Sequence, residues 1–121
     1  MNLAEPSPSR TLEAERLTDG PIIRPQMPGL EGDLGANING PSLIRVPDWV
    51  EQPLAHYYLY FAHHGGSYIR LAYADDLFGP YTLYEPGTLQ LAETPFTGHI
   101  ASPDVHIDDV NRELVMVYHG V

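Results

Sequence analysis

Six side chains in this sequence are of the kinds that recognise or transform a ligand, and they fall at corresponding places in two similar stretches. The first stretch runs Gly40-Pro41-Ser42-Leu43-Ile44-Arg45-Val46-Pro47-Asp48 and, after a loop, Tyr58-Leu59-Tyr60-Phe61-Ala62-His63-His64-Gly65. The second runs Ser102-Pro103-Asp104-Val105-His106-Ile107-Asp108-Asp109 and, after a short turn, Leu114-Val115-Met116-Val117-Tyr118-His119-Gly120. Each opens on a small residue and Pro, continues as two strands, and closes on His-Gly or His-His-Gly. Antiparallel neighbours run in opposite directions, so the start of the first strand and the end of the second share one end of the unit. That groups Asn39, His63 and His64 from the first stretch, and His99, Asp104 and His119 from the second. Two units set around one axis would turn these six residues, with Gly40 and Ser102, toward one mouth. Concave mouths with a few convergent polar groups are where ligands bind.

The chemistry on offer is hydrogen bonding and proton transfer. Asp104 is the strongest candidate, because a carboxylate there could accept sugar hydroxyls or tune a neighbouring acid, and Pro103 removes a backbone donor beside it. Its competing role is capping a strand end. Neutral imidazoles at positions 63, 64, 99 and 119 can hydrogen-bond a hydroxyl or ligate a metal, with a solvated turn as the competing role. His56 and His106 read as outward-facing strand residues. There are six His and no Cys, and neither HExxH nor His-x-His spacing is present. No metal or other cofactor is therefore expected. Trp49, the sole tryptophan, could stack on a sugar or cap the core. Tyr73, Tyr81 and Tyr84 suit packing between units better than sugar stacking, and Asp75 and Asp76 suit a turn.

The elements that must hold these residues are strands. Ser42–Val46, His56–Ala62, Tyr68–Ala74 and Tyr81–Tyr84 are rich in β-branched and aromatic residues and are separated by turn signals such as His64-Gly65-Gly66 and Gly79-Pro80. Four strands in series make a meander, the form of one propeller blade. Residues 85–98 then cross to a second unit, where residues 99–108 and 113–119 repeat strands one and two. Aligning His63 with His119, Pro41 to His63 is 22 residues and Pro103 to His119 is 16, so the difference falls in the first loop. A repeated strand-turn-strand unit marks a propeller or similar array. The alternative is two unrelated hairpins in an α+β domain. Residues 1–38 carry Pro6, Pro8, Pro21, Pro25 and Pro28 and read as an irregular leader. Within it, residues 11–17 could form two helical turns and residues 21–24 a short edge strand. The expected organisation is therefore all-β: a leader over 1–38, then one four-stranded blade and half of the next over 39–121.

Composition narrows the partners. The 121 residues are 43% hydrophobic, enough for a core, and 12 Pro with 11 Gly demand many turns. Six basic and 16 acidic residues give a net charge of −10, which opposes nucleic acid and anionic membrane surfaces. Neutral sugars remain open. The opening residues lack a basic stretch followed by an apolar run, and no run approaches a membrane span. A cytoplasmic location is the default expectation.

The run Tyr68-Ile69-Arg70-Leu71-Ala72-Tyr73-Ala74-Asp75-Asp76-Leu77-Phe78-Gly79-Pro80-Tyr81-Thr82 resembles a signature of five-bladed propeller glycoside hydrolases. In it, a third strand ends in Ala or Ser and is followed by Asp-Leu, then Gly-Pro and an aromatic. Ala101-Ser102-Pro103-Asp104-Val105 resembles the Ala-Pro-Asp-Ile/Val segment that opens the second blade, and Ser42-Leu43-Ile44-Arg45 with Tyr57-Tyr58-Leu59-Tyr60-Phe61 resembles the first. The likeness covers residues 37–121 and is to glycoside hydrolase family 43 and its furanosidase-like relatives. It implies an inverting pair of carboxylates and a third acid that adjusts pKa. The base would precede Pro at the start of the first blade, where this chain has Gly40 after Asn39, neither of which takes a proton from water. The other two acids would come from later blades, and Asp104 would line the substrate pocket. The functional expectation is part of a glycoside-hydrolase-like protein with a carbohydrate substrate, inactive as this piece, the missing blades being its partners. The alternatives are a non-catalytic carbohydrate-binding propeller and a small self-associating β domain.

Overall fold

The computed structural model describes residues 11–121; the expectations resting on residues 1–10, including the breaks at Pro6 and Pro8 and the reading of the opening residues, lie outside them. Among the described residues the chain is all-β. A four-stranded antiparallel sheet has the order β1 (Asn39–Arg45), β2 (Tyr57–Ala62), β3 (Tyr68–Ala74) and β4 (Thr82–Gln90). A two-stranded sheet follows, β5 (Ile100–Asp108) with β6 (Glu113–Gly120). Two short 3-10 turns, Gly32–Gly35 and Leu91–Glu93, are the only helical pieces described. No described helix is long and apolar enough to cross a membrane.

The central strands β2 and β3 are apolar on both faces because they are covered on both, while β1 and β4 are largely exposed. On one face Leu59, Phe61, Ala72 and Ala74 pack with Tyr81 and with Leu30 of the preceding segment, flanked by Ile23, Met27 and Ile38. On the other, Ile44, Tyr58, Tyr60 and Leu71 meet Val105, Leu114 and Met116 of the hairpin. A third cluster, Ala62, Ile69, Ile100 and Ala101, joins the sheet to the hairpin at the end where the polar residues gather. Burial in this middle layer pushes the Tyr60 phenol up to about 12, with the neighbouring Tyr58 adding to the effect.

Residues 22–38 thus dock on the sheet, and Leu30 is fully buried. Residues 11–20 are exposed throughout, and the helical turns expected over 11–17 are absent. So short a segment makes too few hydrogen bonds to nucleate a helix without an apolar face to bury. Residues 21–24 bend instead of forming an edge strand.

The fourth strand is longer than expected, reaching Gln90 rather than ending at Tyr84. Its pairing jumps from Leu71 opposite Tyr84 to Ile69 opposite Leu89, so residues 85–88 bulge out and pairing resumes beyond them. Gly87 permits this, with φ of 69° and a position whose Cβ would sit 2.5 Å from the Ile69 carbonyl oxygen. Pro86 disguises the continuation in the sequence by reading as a strand terminator.

Candidate functional site: a polar end shared by two matching hairpins

The β1–β2 and β5–β6 hairpins share more than a sequence pattern. Asn39 opposes Ala62 and Ser42 opposes Tyr60, so β1 carries one extra residue at Gly40-Pro41. Ala101 opposes His119 and Asp104 opposes Val117, so β5 carries one at Ser102-Pro103. The residue before each Pro is left-handed, Gly40 with φ of 62° and Ser102 with φ of 53°. These bulges touch: a Cβ on Gly40 would lie 3.0 Å from Ser102 Cα. A hydrogen bond from Val105 N to Ser42 Oγ, 2.9 Å, joins the strands just beyond. This register also corrects the alignment of the two units. His119 corresponds to Ala62, and His63 corresponds to Gly120, which opposes Ile100. The offset comes from matching the strand ends by residue type, His to His; the bulge is common to both units, and the first loop is longer by five residues.

Around the bulges the structure gathers four of the six predicted residues. The His99 ring lies 5.2 Å from the His119 ring, nearly perpendicular to it, and 6.1 Å from the His64 ring. The Nε2 atom of His99 is buried without a hydrogen-bond partner among the described residues. The His64 backbone N–H donates to Asn37 Oδ1 at 3.0 Å, and the Asn39 Nδ2 donates to the same oxygen at 2.8 Å. Asn37 therefore ties β1 to the β2–β3 turn.

The remaining two are engaged elsewhere. His63 accepts the Gly65 N–H on its Nδ1 at 3.0 Å, the turn role weighed against ligand binding. The Asp104 carboxylate lies 2.8 Å from His106 Nε2, and both side chains are about two-thirds exposed. These residues alternate along β5 and so share one face of the hairpin. His106, which reads as merely outward-facing, is Asp104's partner.

Sequence reasoning passed over two residues. One is Asn37. The other is Arg70, only 3% exposed, whose Nη1 donates to the Asn37 carbonyl oxygen at 3.0 Å. Its guanidinium lies 5.8 Å from the Phe61 ring centre and 5.5 Å from that of Tyr68. A signal for Arg70 exists in the alternation of β3, which places it on the same face as Ala72 and Ala74.

At the far end of the hairpins Trp49 Nε1 donates to Asp109 Oδ1 at 2.7 Å. Asp108 Oδ1 accepts from the backbone N–H groups of Val110 and Asn111 there, and its Oδ2 from the Asn111 side chain. The bonds from Asn111, with a smaller one from Val110, hold the Asp108 carboxyl below its usual value. Asp76 makes the expected turn by accepting the Phe78 N–H at 2.9 Å.

This end of the hairpins therefore presents amides and imidazoles, with one buried guanidinium behind them. Among the described residues no group of three His, Asp or Glu is placed to hold a metal ion.

No family model and no solved structure matches the chain. It is similar to an uncharacterized protein of Acanthamoeba polyphaga mimivirus, 31% identical over an alignment of 121 positions that covers 86% of this chain. The chain spans about a third of that protein's length, 34%.

Proposed function

We propose that residues 39–121 are the first blade and the opening hairpin of the second blade of a glycoside-hydrolase-like β-propeller, and that its mouth binds a carbohydrate. The observation that carries this reading is the duplicated Pro bulge, with one extra residue in each copy, the same left-handed backbone and the two copies in contact. Equivalent inner strands that meet at a point are what rotation about a central axis produces. A four-stranded antiparallel meander is the propeller's unit, and such folds use about four to eight of them. The repeat from Pro41 to Pro103 is 62 residues long. A protein about three times the length of this chain, as the viral relative is, has room for about five such units.

The groups in the mouth suit hydroxyl recognition. Imidazole and carboxamide both donate and accept hydrogen bonds, as sugar hydroxyls do. They do not suit hydrolysis by this chain alone, which needs a carboxylate pair across the glycosidic bond. Asn39 and Gly40 stand at the bulge where the resemblance calls for the base. This favours binding without turnover as the second reading.

Calorimetry with a panel of neutral and acidic monosaccharides and their methyl glycosides tests the proposal on a chain extended to the relative's length. Saturable binding that His99→Ala or Asn39→Ala weakens about tenfold, roughly 1.4 kcal/mol, is the expected result. Absence of binding to every sugar would refute it. The 121-residue chain is expected to leave aryl glycosides intact, and turnover that Asp104→Asn abolishes would overturn that expectation.

A further inference from the structure

The two units pack front to back. On the back of the first, Tyr58 and Tyr60 are buried, 9% and 5% exposed, beneath Val105, Leu114 and Met116 on the front of the second. The strand registers give the first unit's residues counterparts in the second: Ser42 is matched by Asp104, Leu59 by Met116, Tyr58 by Val115 and Tyr60 by Val117. The contact therefore joins unlike faces, and such a contact repeats until a ring closes or the last copy is capped. The back of the second unit repeats the surface that the first has covered, and it is open. Val115 is 44% and Val117 61% exposed, beside the exposed pair Asp104 and His106.

We infer that this back face, formed by Asp104, His106, Val115 and Val117, is the docking surface for a third unit of the same build, and that Asp104 is the residue that holds it. In the existing contact the Val105 N–H donates to Ser42 Oγ at 2.9 Å. Asp104 stands in Ser42's place on the next face. Its carboxylate accepts the corresponding N–H of the incoming inner strand, two residues past that strand's bulge proline as Val105 is past Pro103. A charged acceptor makes that bond stronger than the hydroxyl does. The incoming face carries apolar side chains where the second unit has Val105, Leu114 and Met116. The inference rests on the propeller reading for the repeat and not on its carbohydrate.

The structure also says why the occupant is not a second copy of this chain. Two copies back to back would set Asp104, Asp108 and Glu113, which share that face by alternation, against their own kind. Docking front to back would need a free front. That of the second unit is spent on the first. That of the first is held by the docked segment, where Leu59 lies in one cluster with Leu30, Ile23 and Met27. A further unit of the same polypeptide remains, and the viral relative, about three times as long, has room for it.

The chain has no cysteine, so Val117→Cys sets a reporter thiol on the face. Val110→Cys, at a turn position 92% exposed, is the open reference. The product of the full reading frame is treated with iodoacetamide under native conditions, and labelling at each position is read from peptide masses. The thiol at 117 is expected to react about a hundredfold more slowly than that at 110, at every protein concentration. Adding Asp104→Ala is expected to speed labelling at 117 about tenfold, as loss of one hydrogen bond to a charged group would. Asp104→Ser, which restores the acceptor that Ser42 provides, is expected to keep the protection.

Equal labelling at 117 and 110 overturns the inference. Protection that dilution removes also overturns it, because a second copy then fills the face. Protection that Asp104→Ala leaves unchanged overturns the role of Asp104. A protected thiol in a protein that binds no sugar keeps the inference and removes the carbohydrate reading, and sugar binding with an unprotected thiol does the reverse.

Discussion

At the bulges, Gly40 and Ser102 hold the same backbone conformation with different side chains, and this sets opposite expectations for their substitution. At Gly40 an added Cβ meets both a left-handed φ of 62° and Ser102 Cα at 3.0 Å. Gly40→Ala is expected to cost about 1–3 kcal/mol. Ser102 already bears the left-handed penalty, about 1–2 kcal/mol for an L-residue. Replacing it with Gly relieves that strain but loses about 0.5–1 kcal/mol of chain entropy. Ser102→Gly is therefore expected to be neutral or stabilising by up to about 1 kcal/mol. Urea unfolding of the two variants measures both. Asp108 sets a pH dependence of definite sign. Its folded-state value is depressed, so its contribution is present above the ordinary carboxylate value of 3.8 and is lost as pH falls through the folded one. The melting temperature is expected to fall below pH about 4, and Asp108→Asn is expected to flatten part of that fall. The same scale shows what the sequence hides. The Pro residues that open both hairpins are visible as letters. That Gly40 and Ser102 are both left-handed is not, since Ser is a poor marker of such a backbone. Nor does a lone Arg70 in an apolar strand announce that it is buried against the Asn37 carbonyl oxygen and two rings.

At the scale of elements, the hairpin β5–β6 is held to the sheet at both of its ends and in the middle. The bulges meet at one end, and Val105, Leu114 and Met116 pack on the sheet between. The bond from Trp49 to Asp109 closes the other end. Trp49→Phe keeps an aromatic ring, though a smaller one, and removes the donor, and is expected to lower stability by about 1 kcal/mol. Combined with Asp109→Ala it should show a non-additive loss in a double-mutant cycle, whereas simple additivity would mean the bond does not clasp the two sheets. Elements were the most legible level. β2, β3, β5 and β6 fall within a residue of the positions their aromatic and β-branched runs indicate. The miss at β4 comes from Pro86 and Gly87, which punctuate a bulge and not an end. That the leader wraps a domain could be read from its prolines, but which of residues 22–38 dock could not, because their apolar side chains follow no strand or helix period. Leu30 is buried by a loop.

For the molecule as a whole, the sheet is the middle of a three-layer stack: docked segment, meander, hairpin. Tyr60 lies between the second and third layers. Its value is raised to about 12 while the unfolded chain ionises near 10.0, so its contribution is complete below pH 10 and is lost as pH rises through the folded value. Alkaline unfolding is expected to begin in that window, and Tyr60→Phe should move it to higher pH. The candidate site was legible in part for a reason that belongs to this scale. Antiparallel geometry alone brings Asn39, His64, His99 and His119 to one end, whatever the details of packing. Asp104 and His63 left the group through local bonds, to His106 and to Gly65, that no topological argument foresees. The Trp49 clasp has an optical consequence. Trp49 is the only indole in the chain, and it is bonded to the hairpin turn rather than to its own sheet. Its fluorescence therefore reports the separation of hairpin from sheet without any introduced label. A change in emission that precedes the loss of far-ultraviolet β signal would time that separation directly.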